Sequence, residues 1–153
     1  MKENIKKVCI TNSKIGANVS IIEPVNVYGC EIKDEVFIGP FVEIQKGVVI
    51  GERTKIQSHS FICEGVDIGK DCFIGHSVNF INDKFSDGRP AGGDKSKWKK
   101  TNVSSNVYIG SNSTILPVFI CSNVVIGAGS VVTKDILTSG IYAGNPAKIL
   151  RKK

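Results

Sequence analysis

Methionine and tryptophan occur once each and histidine only twice in the 153 residues. Two histidines fall short of the three-histidine set used by many catalytic zinc sites, so no resident metal is expected. No apolar run approaches the roughly 18 residues of a membrane span. The start, Met1 to Val8, is charged and polar rather than leader-like, and a cytoplasmic location is the expectation. The five cysteines, Cys9, Cys30, Cys63, Cys72 and Cys121, are odd in number and show no CxxC spacing, which points to packed, reduced thiols rather than a disulfide framework. The chain also lacks an aromatic-interleaved basic helix. Its net charge of +6 and pI near 9.1 therefore suit small phosphate-bearing ligands better than nucleic acid.

What the chain has is a period. A large aliphatic or aromatic residue returns every sixth position from Ile32 through Ile38, Ile44, Ile50, Ile56, Ile62, Ile68 and Ile74 to Phe80. A small or β-branched residue stands two positions before each from Ile38 onward: Val36, Val42, Val48, Thr54, Ser60, Val66, Cys72, Val78. Residues i and i−2 share a face of a strand, but a period of six is neither helical nor simply extended. The chain has to turn a corner once per hexad. The pattern is present more faintly at Ile15, Ile21 and Val27, and it resumes at Val103, Ile109 and Ile115, then Ile120, Ile126 and Val132. Single-residue slips separate Val27 from Ile32 and Ile115 from Ile120.

Such a period predicts an all-β solenoid, a parallel β-helix in which three hexads make one triangular coil. Eighteen hexads give about six coils in a single domain, residues 1–153. A loop excursion over 81–102, rich in Gly, Asp, Lys and Pro, interrupts it, and a short C-terminal extension covers 136–153. Gly39, Gly51, Gly69, Gly75, Gly110 and Gly127, each following a register residue, are expected to turn the corners in the left-handed αL conformation.

Residues 18 apart in an unbroken run should stack on neighbouring coils about 4.8 Å apart. Lys46, Glu64 and Asn82 form one such outward ladder, ending where the loop departs; Ser58 with His76 and His59 with Ser77 form two more. Long loops inside compact domains are commonly functional, and this one begins with the polar cluster Asn82, Asp83, Lys84.

The segments RTKIQSHSFICEGVDIGKDCFIGHSVNFINDKF (53–85), VYIGSNSTILP (107–117) and VVIGAGSVVTKDI (124–136), with AGNPAK (143–148), resemble the hexapeptide-repeat sugar-nucleotide N-acetyltransferases, notably those acting on dTDP-linked 3-amino-3,6-dideoxyhexoses. The resemblance implies a left-handed helix, a cyclic homotrimer with sites between subunits, acetyl-CoA or another acyl-CoA as co-substrate, and a role in surface polysaccharide biosynthesis. It departs from the family after Asn82–Asp83, where Phe85 to Pro90 replace a Tyr-Pro-Arg type sequence, and at Pro117–Val118, where a glycine is missing.

Acyl transfer to an amine needs positioning more than a strong base, because an amine with a pKa near 8 is partly neutral at pH 7. A sugar hydroxyl would demand such a base, and the loop holds no histidine. The expectation is that Asn82 accepts a hydrogen bond from the substrate amine while Glu64 and Asp83 orient it or take its proton. His59, His76, Lys84 and Phe85 are candidate substrate contacts. The resemblance places the thioester arm against backbone amides of the later coils, including Gly110, Ala128 and Ser130, with Lys134, Lys148 and Arg151 as phosphate partners. An O-acetyltransferase and a non-catalytic β-helix module are the competing readings.

Overall fold

The computed structural model describes residues 7–152. They form three sheets of seven, six and eight strands, here faces I, II and III, parallel throughout except for the last strand of face III, and most strands are two residues long. Up to the strand Val131–Val132, strands adjacent on a face are three strands apart in the chain, so the chain visits I, II and III in turn and closes one coil per cycle. The seven strands of face I give seven coils where about six were expected. The added positions come from both ends of the chain: Ile136 and Tyr142 stack on Ile120 and Ile126, and Ile10 pairs with Val27. Ile10 precedes Ile15 by five residues and so escapes a count in sixes.

The register residues fill the prism. Ile38, Ile44, Ile50, Ile56, Ile62, Ile74, Phe80, Ile109 and Ile115 are wholly buried, and each stacks on its counterpart one coil away. The small positions narrow the interior between them. Where such a position is a hydroxyl, it binds a corner carbonyl: Thr54 Oγ1 donates to Gly69 O at 2.8 Å, Ser60 Oγ to Gly75 O at 2.8 Å and Ser130 Oγ to Gly127 O at 2.6 Å. Among the described residues no buried side-chain nitrogen or oxygen lacks a partner. Each orphan would otherwise cost about 1–3 kcal/mol. Of the cysteines, Cys30, Cys63 and Cys72 are buried thiols, whereas Cys9 is exposed. Burial pushes the Cys63 thiol up to about 12.

The corners correct an expectation. Gly39, Gly51, Gly69, Gly75, Gly110 and Gly127 do not have positive φ; the αL positions fall three residues after the register and are held by Glu35, Phe41, Arg53, His59, Asp71, Ser77, Asn112 and Asn123 among others. The glycines are required by closeness instead. A Cβ on Gly75 would lie 2.7 Å from the Ser111 backbone nitrogen of the next coil, and one on Gly39 would lie 2.8 Å from that of Ser58. Stacking side chains at this position would force the coils apart.

Two edges of the prism are uniform. From face II to face III, and from III to I, the register advances six residues at every complete coil from Ile15 to Val132. At the edge between I and II the step is five from Ile10 to Ile15, from Val27 to Ile32 and from Ile115 to Ile120, and four from Val132 to Ile136, which bridges to Ile120. From Phe80 to Val103 it is 23. Every slip and the loop excursion thus fall on this one edge.

The segment expected as an extension continues the solenoid first. Gly140–Ala143 pairs in parallel with Val124–Ile126 on face III, and Lys148–Lys152 then folds back antiparallel to it.

Candidate functional site at the root of the loop

Asn82 lies two residues past Phe80, on the edge between faces I and II where the loop leaves. Its side-chain nitrogen donates to the backbone carbonyl of Glu64 one coil away, at 2.9 Å. This uses one of the two N–H donors of the amide and leaves Oδ1 without a hydrogen bond from any described residue. Asn82 O also accepts from Lys99 N at 3.0 Å, which closes the excursion into a compact loop. Beneath, Lys46 holds the matching place, two past Ile44, which pairs with Ile62, while Gln45 Oε1 accepts from Glu64 N at 3.1 Å.

The two carboxylates do not stand free. Glu64 binds Lys95 Nζ through both oxygens at 2.7 Å, a charge-assisted pair that ties the far side of the loop to the coil. Asp83 accepts from Phe85 N at 2.9 Å through one oxygen and from Ala91 N at 2.7 Å through the other. The expectation that Asp83 takes the substrate's proton meets this geometry: its oxygens organise the loop. Lys95, which sequence reasoning missed, sits outside the hexad count and so had no coordinate from which to place it. Asp87 with Lys97 at 2.7 Å, and Asp94 with Ser96 at 2.6 Å, brace the same loop.

Two cavities open near the loop root, lined by neighbours of Asn82 rather than by Asn82 itself. One, of about 260 Å³, is lined by Ile81, Asp83, Lys84, Phe85 and Leu116. The other, of about 120 Å³, is lined by Glu64, Gly65, Lys95, Trp98, Lys99 and Lys100, with Lys95 Nζ 5.5 Å from the centre of the Trp98 ring. Trp98, Lys99 and Lys100 were also unmarked in the sequence, since only the loop's closure brings them back to its root. Tyr28, on the same side of the prism, has its hydroxyl pKa raised by burial and by the Glu43 and Glu64 charges.

The histidines are elsewhere. His76 and His59 lie on the edge between faces III and I, so face I separates them from Asn82 within one chain. His76 Nδ1 is 2.7 Å from Ser58 Oγ, its backbone N–H donates to Ser111 Oγ at 3.2 Å, and the His59 ring stacks on Phe41 with centroids 4.8 Å apart. Both 18-residue pairings hold, since Ser77 N donates to Ser58 O beside the His59 corner. The expected amides behave differently from one another. Gly110 N–H is committed to Ile126 O at 2.8 Å, while those of Ala128 and Ser130 have no acceptor among the described residues. Lys134, Lys148 and Arg151 are exposed at the C-terminal end, the last two on the antiparallel strand.

Stacked hexads, one irregular edge and a braced polar loop define a hexapeptide-coil β-solenoid. Residues 29–64 match the family described as bacterial transferase hexapeptide (six repeats), and residues 103–134 match the hexapeptide repeat of succinyl-transferase. The chain belongs to the hexapeptide-repeat transferases. It is 34% identical to the bifunctional protein GlmU of Streptococcus uberis over 96% of this chain and 31% of that protein. It thus spans about a third of the length of the curated relatives it matches. Among solved structures, the hexapeptide-repeat acetyltransferase VCA0836 of Vibrio cholerae, complexed with acetyl coenzyme A, superposes with a TM-score of 0.71 at 27% identity, covering 82% of this chain and 71% of that one. The polySia-specific acetyltransferase NeuO gives 0.66 at 30% identity, covering 92% and 72%.

Proposed function

We propose that the protein is an acyl-CoA-dependent N-acyltransferase that moves an acetyl or other short acyl group to the amino group of a nucleotide-linked amino sugar of the dTDP-3-amino-3,6-dideoxyhexose kind. The observation that carries this reading is Asn82: its nitrogen donates to Glu64 O, and Oδ1 is left to accept a hydrogen bond from an incoming amine. A bound amine is held with its lone pair toward the thioester carbonyl, the entropic contribution that positioning makes to such reactions. The amine nitrogen bonds to the carbonyl carbon, the carbon–sulfur bond breaks, and coenzyme A leaves as the thiol with the proton the amine loses.

Glu64 and Asp83 act in this account by fixing the loop and the coil beneath Asn82. The donor family is supported by the acetyl coenzyme A bound to VCA0836. The phosphate-bearing acceptor is supported by Lys99, Lys100 and the Trp98 ring, cations and an aromatic face beside Asn82. Ala128 and Ser130, on the same III–I edge as the histidines, offer amide donors to a pantetheine arm that reaches the Asn82 of a neighbouring copy, and Lys134, Lys148 and Arg151 offer cations to its phosphates. Because His59 and His76 lie on another edge, their role as substrate contacts requires a neighbouring copy, as the homotrimer of the resemblance supplies. A thioester-consumption assay against a panel of dTDP- and UDP-linked amino sugars tests the reading. Release of coenzyme A that depends on an amino sugar is expected, and release with a hydroxyl acceptor alone would overturn it.

A further inference from the structure

We infer that the cavity bordered by Leu116 at the loop root is an acyl-chain pocket, and that the donor's acyl group is longer than acetyl, of about four carbons. This rests on the acyltransferase reading above and specifies its donor. The pocket's apolar lining comes from Ile81, Phe85 and Leu116, with Asp83 and Lys84 at its rim. Ile81 and Asp83, the two chain neighbours of Asn82, line this cavity, and Lys99, whose N–H donates to Asn82 O, lines the cationic one, so both lie within reach of the acyl chain of a thioester held beside Asn82. An alkyl chain gains nothing from the lysines and gains burial from Ile81, Phe85 and Leu116. A cavity of about 260 Å³ is far more than the methyl of an acetyl group fills.

The pocket is also built rather than incidental. Phe85 has φ 51, a conformation disfavoured for a bulky side chain, and unlike the other aromatic in that conformation, Phe41, it does not sit at a coil corner. Asp83 holds it there by accepting its N–H at 2.9 Å. Backbone strain maintained by a dedicated carboxylate is the kind found where a side chain must be aimed. Leu116 is fixed from the other side, its N–H donating to Val132 O at 3.0 Å in the coil ladder.

Calorimetric titration of the full chain with acetyl-CoA, butyryl-CoA and hexanoyl-CoA tests this without knowledge of the acceptor. Butyryl-CoA is expected to bind at least tenfold more tightly than acetyl-CoA, since each added methylene in a fitted apolar pocket is worth about tenfold or more. Leu116→Trp, which fills the pocket from a half-exposed position, is expected to lower the butyryl-to-acetyl preference tenfold or more, and Leu116→Ala to shift preference toward hexanoyl-CoA. Equal affinity for acetyl and butyryl thioesters, or a preference indifferent to both Leu116 substitutions, would overturn the pocket while leaving the acyltransferase reading intact. Absence of binding by any acyl-CoA would overturn both. Tight acetyl-CoA binding with a Leu116-sensitive preference for 6-deoxy over 6-hydroxy amino sugars would assign the pocket to the acceptor and refute the inference.

Discussion

The edges of the prism differ in what they are allowed to do. Between faces II and III, and between III and I, the register advances by six at every coil, and the corner glycines are so close to the next coil that a Cβ would meet its backbone. Between I and II the step takes values of four, five, six and 23; the corner glycine Gly47 has open space around it, and a Cβ on Gly65 would make only ordinary contacts, the nearest 3.7 Å from Lys99 O. Two edges therefore set the geometry, and the third absorbs variation. The loop, Asn82 and both cavities are on the third. A rigid scaffold with one permissive edge is an arrangement that lets a loop vary while its root stays positioned.

The largest effect expected from this contrast comes from changing a corner's length. One glycine inserted between Asp71 and Cys72, on the II–III edge, moves every following register residue off the interior and should abolish folded protein. The same insertion between Pro117 and Val118, on the I–II edge, restores a six-residue step and should change unfolding free energy by about 1 kcal/mol or less. Urea denaturation checks both, and equal tolerance at the two sites would break the comparison.

A smaller effect separates the glycines. Gly75→Ala on a uniform edge is expected to cost about 3 kcal/mol, because its Cβ has no room. Gly47→Ala on the permissive edge, at φ 78 in open space, is expected to cost about 1 kcal/mol, for backbone strain alone. Thermal denaturation distinguishes them.

The smallest effect concerns Cys63, one residue past Ile62 beside the loop root. Its thiol is held near 12 by burial, above an unfolded value of about 8.5. The unfolded chain therefore loses this proton first, so the contribution is full below pH 8.5 and is lost as pH rises toward 12. Native protein at pH 8 should leave Cys63 unmodified by a thiol reagent while exposed Cys9 reacts. A Cys63→Ser variant should show a flatter alkaline stability profile.

The fold was legible in the sequence because its signal is a period. Ile38 to Phe80 named their own neighbours, and stacking of Asn82 on the Glu64 coil followed from an 18-residue difference. Ile10 was missed because its spacing to Ile15 is five, and the corner glycines were given the wrong reason because spacing cannot distinguish αL geometry from close approach. The site was half legible. Asn82 lies on the periodic coordinate; Lys95, Trp98, Lys99 and Lys100 return to it only through loop closure, and no period encodes that. The role expected for Asp83, orienting the amine or receiving its proton, drew on its place in a polar cluster; its bonds to the Phe85 and Ala91 N–H groups had no coordinate in the period.

The central claim is that Asn82 positions the attacking amine on the permissive edge. It is tested most directly by comparing Asn82→Ala with the unaltered chain in the thioester-consumption assay, using the amino-sugar nucleotide that gives the fastest turnover. The account predicts a loss in kcat/KM of about a hundredfold, the scale of a lost positioning contact, with acyl-CoA affinity and thermal stability preserved. Full acyl transfer by Asn82→Ala would contradict it.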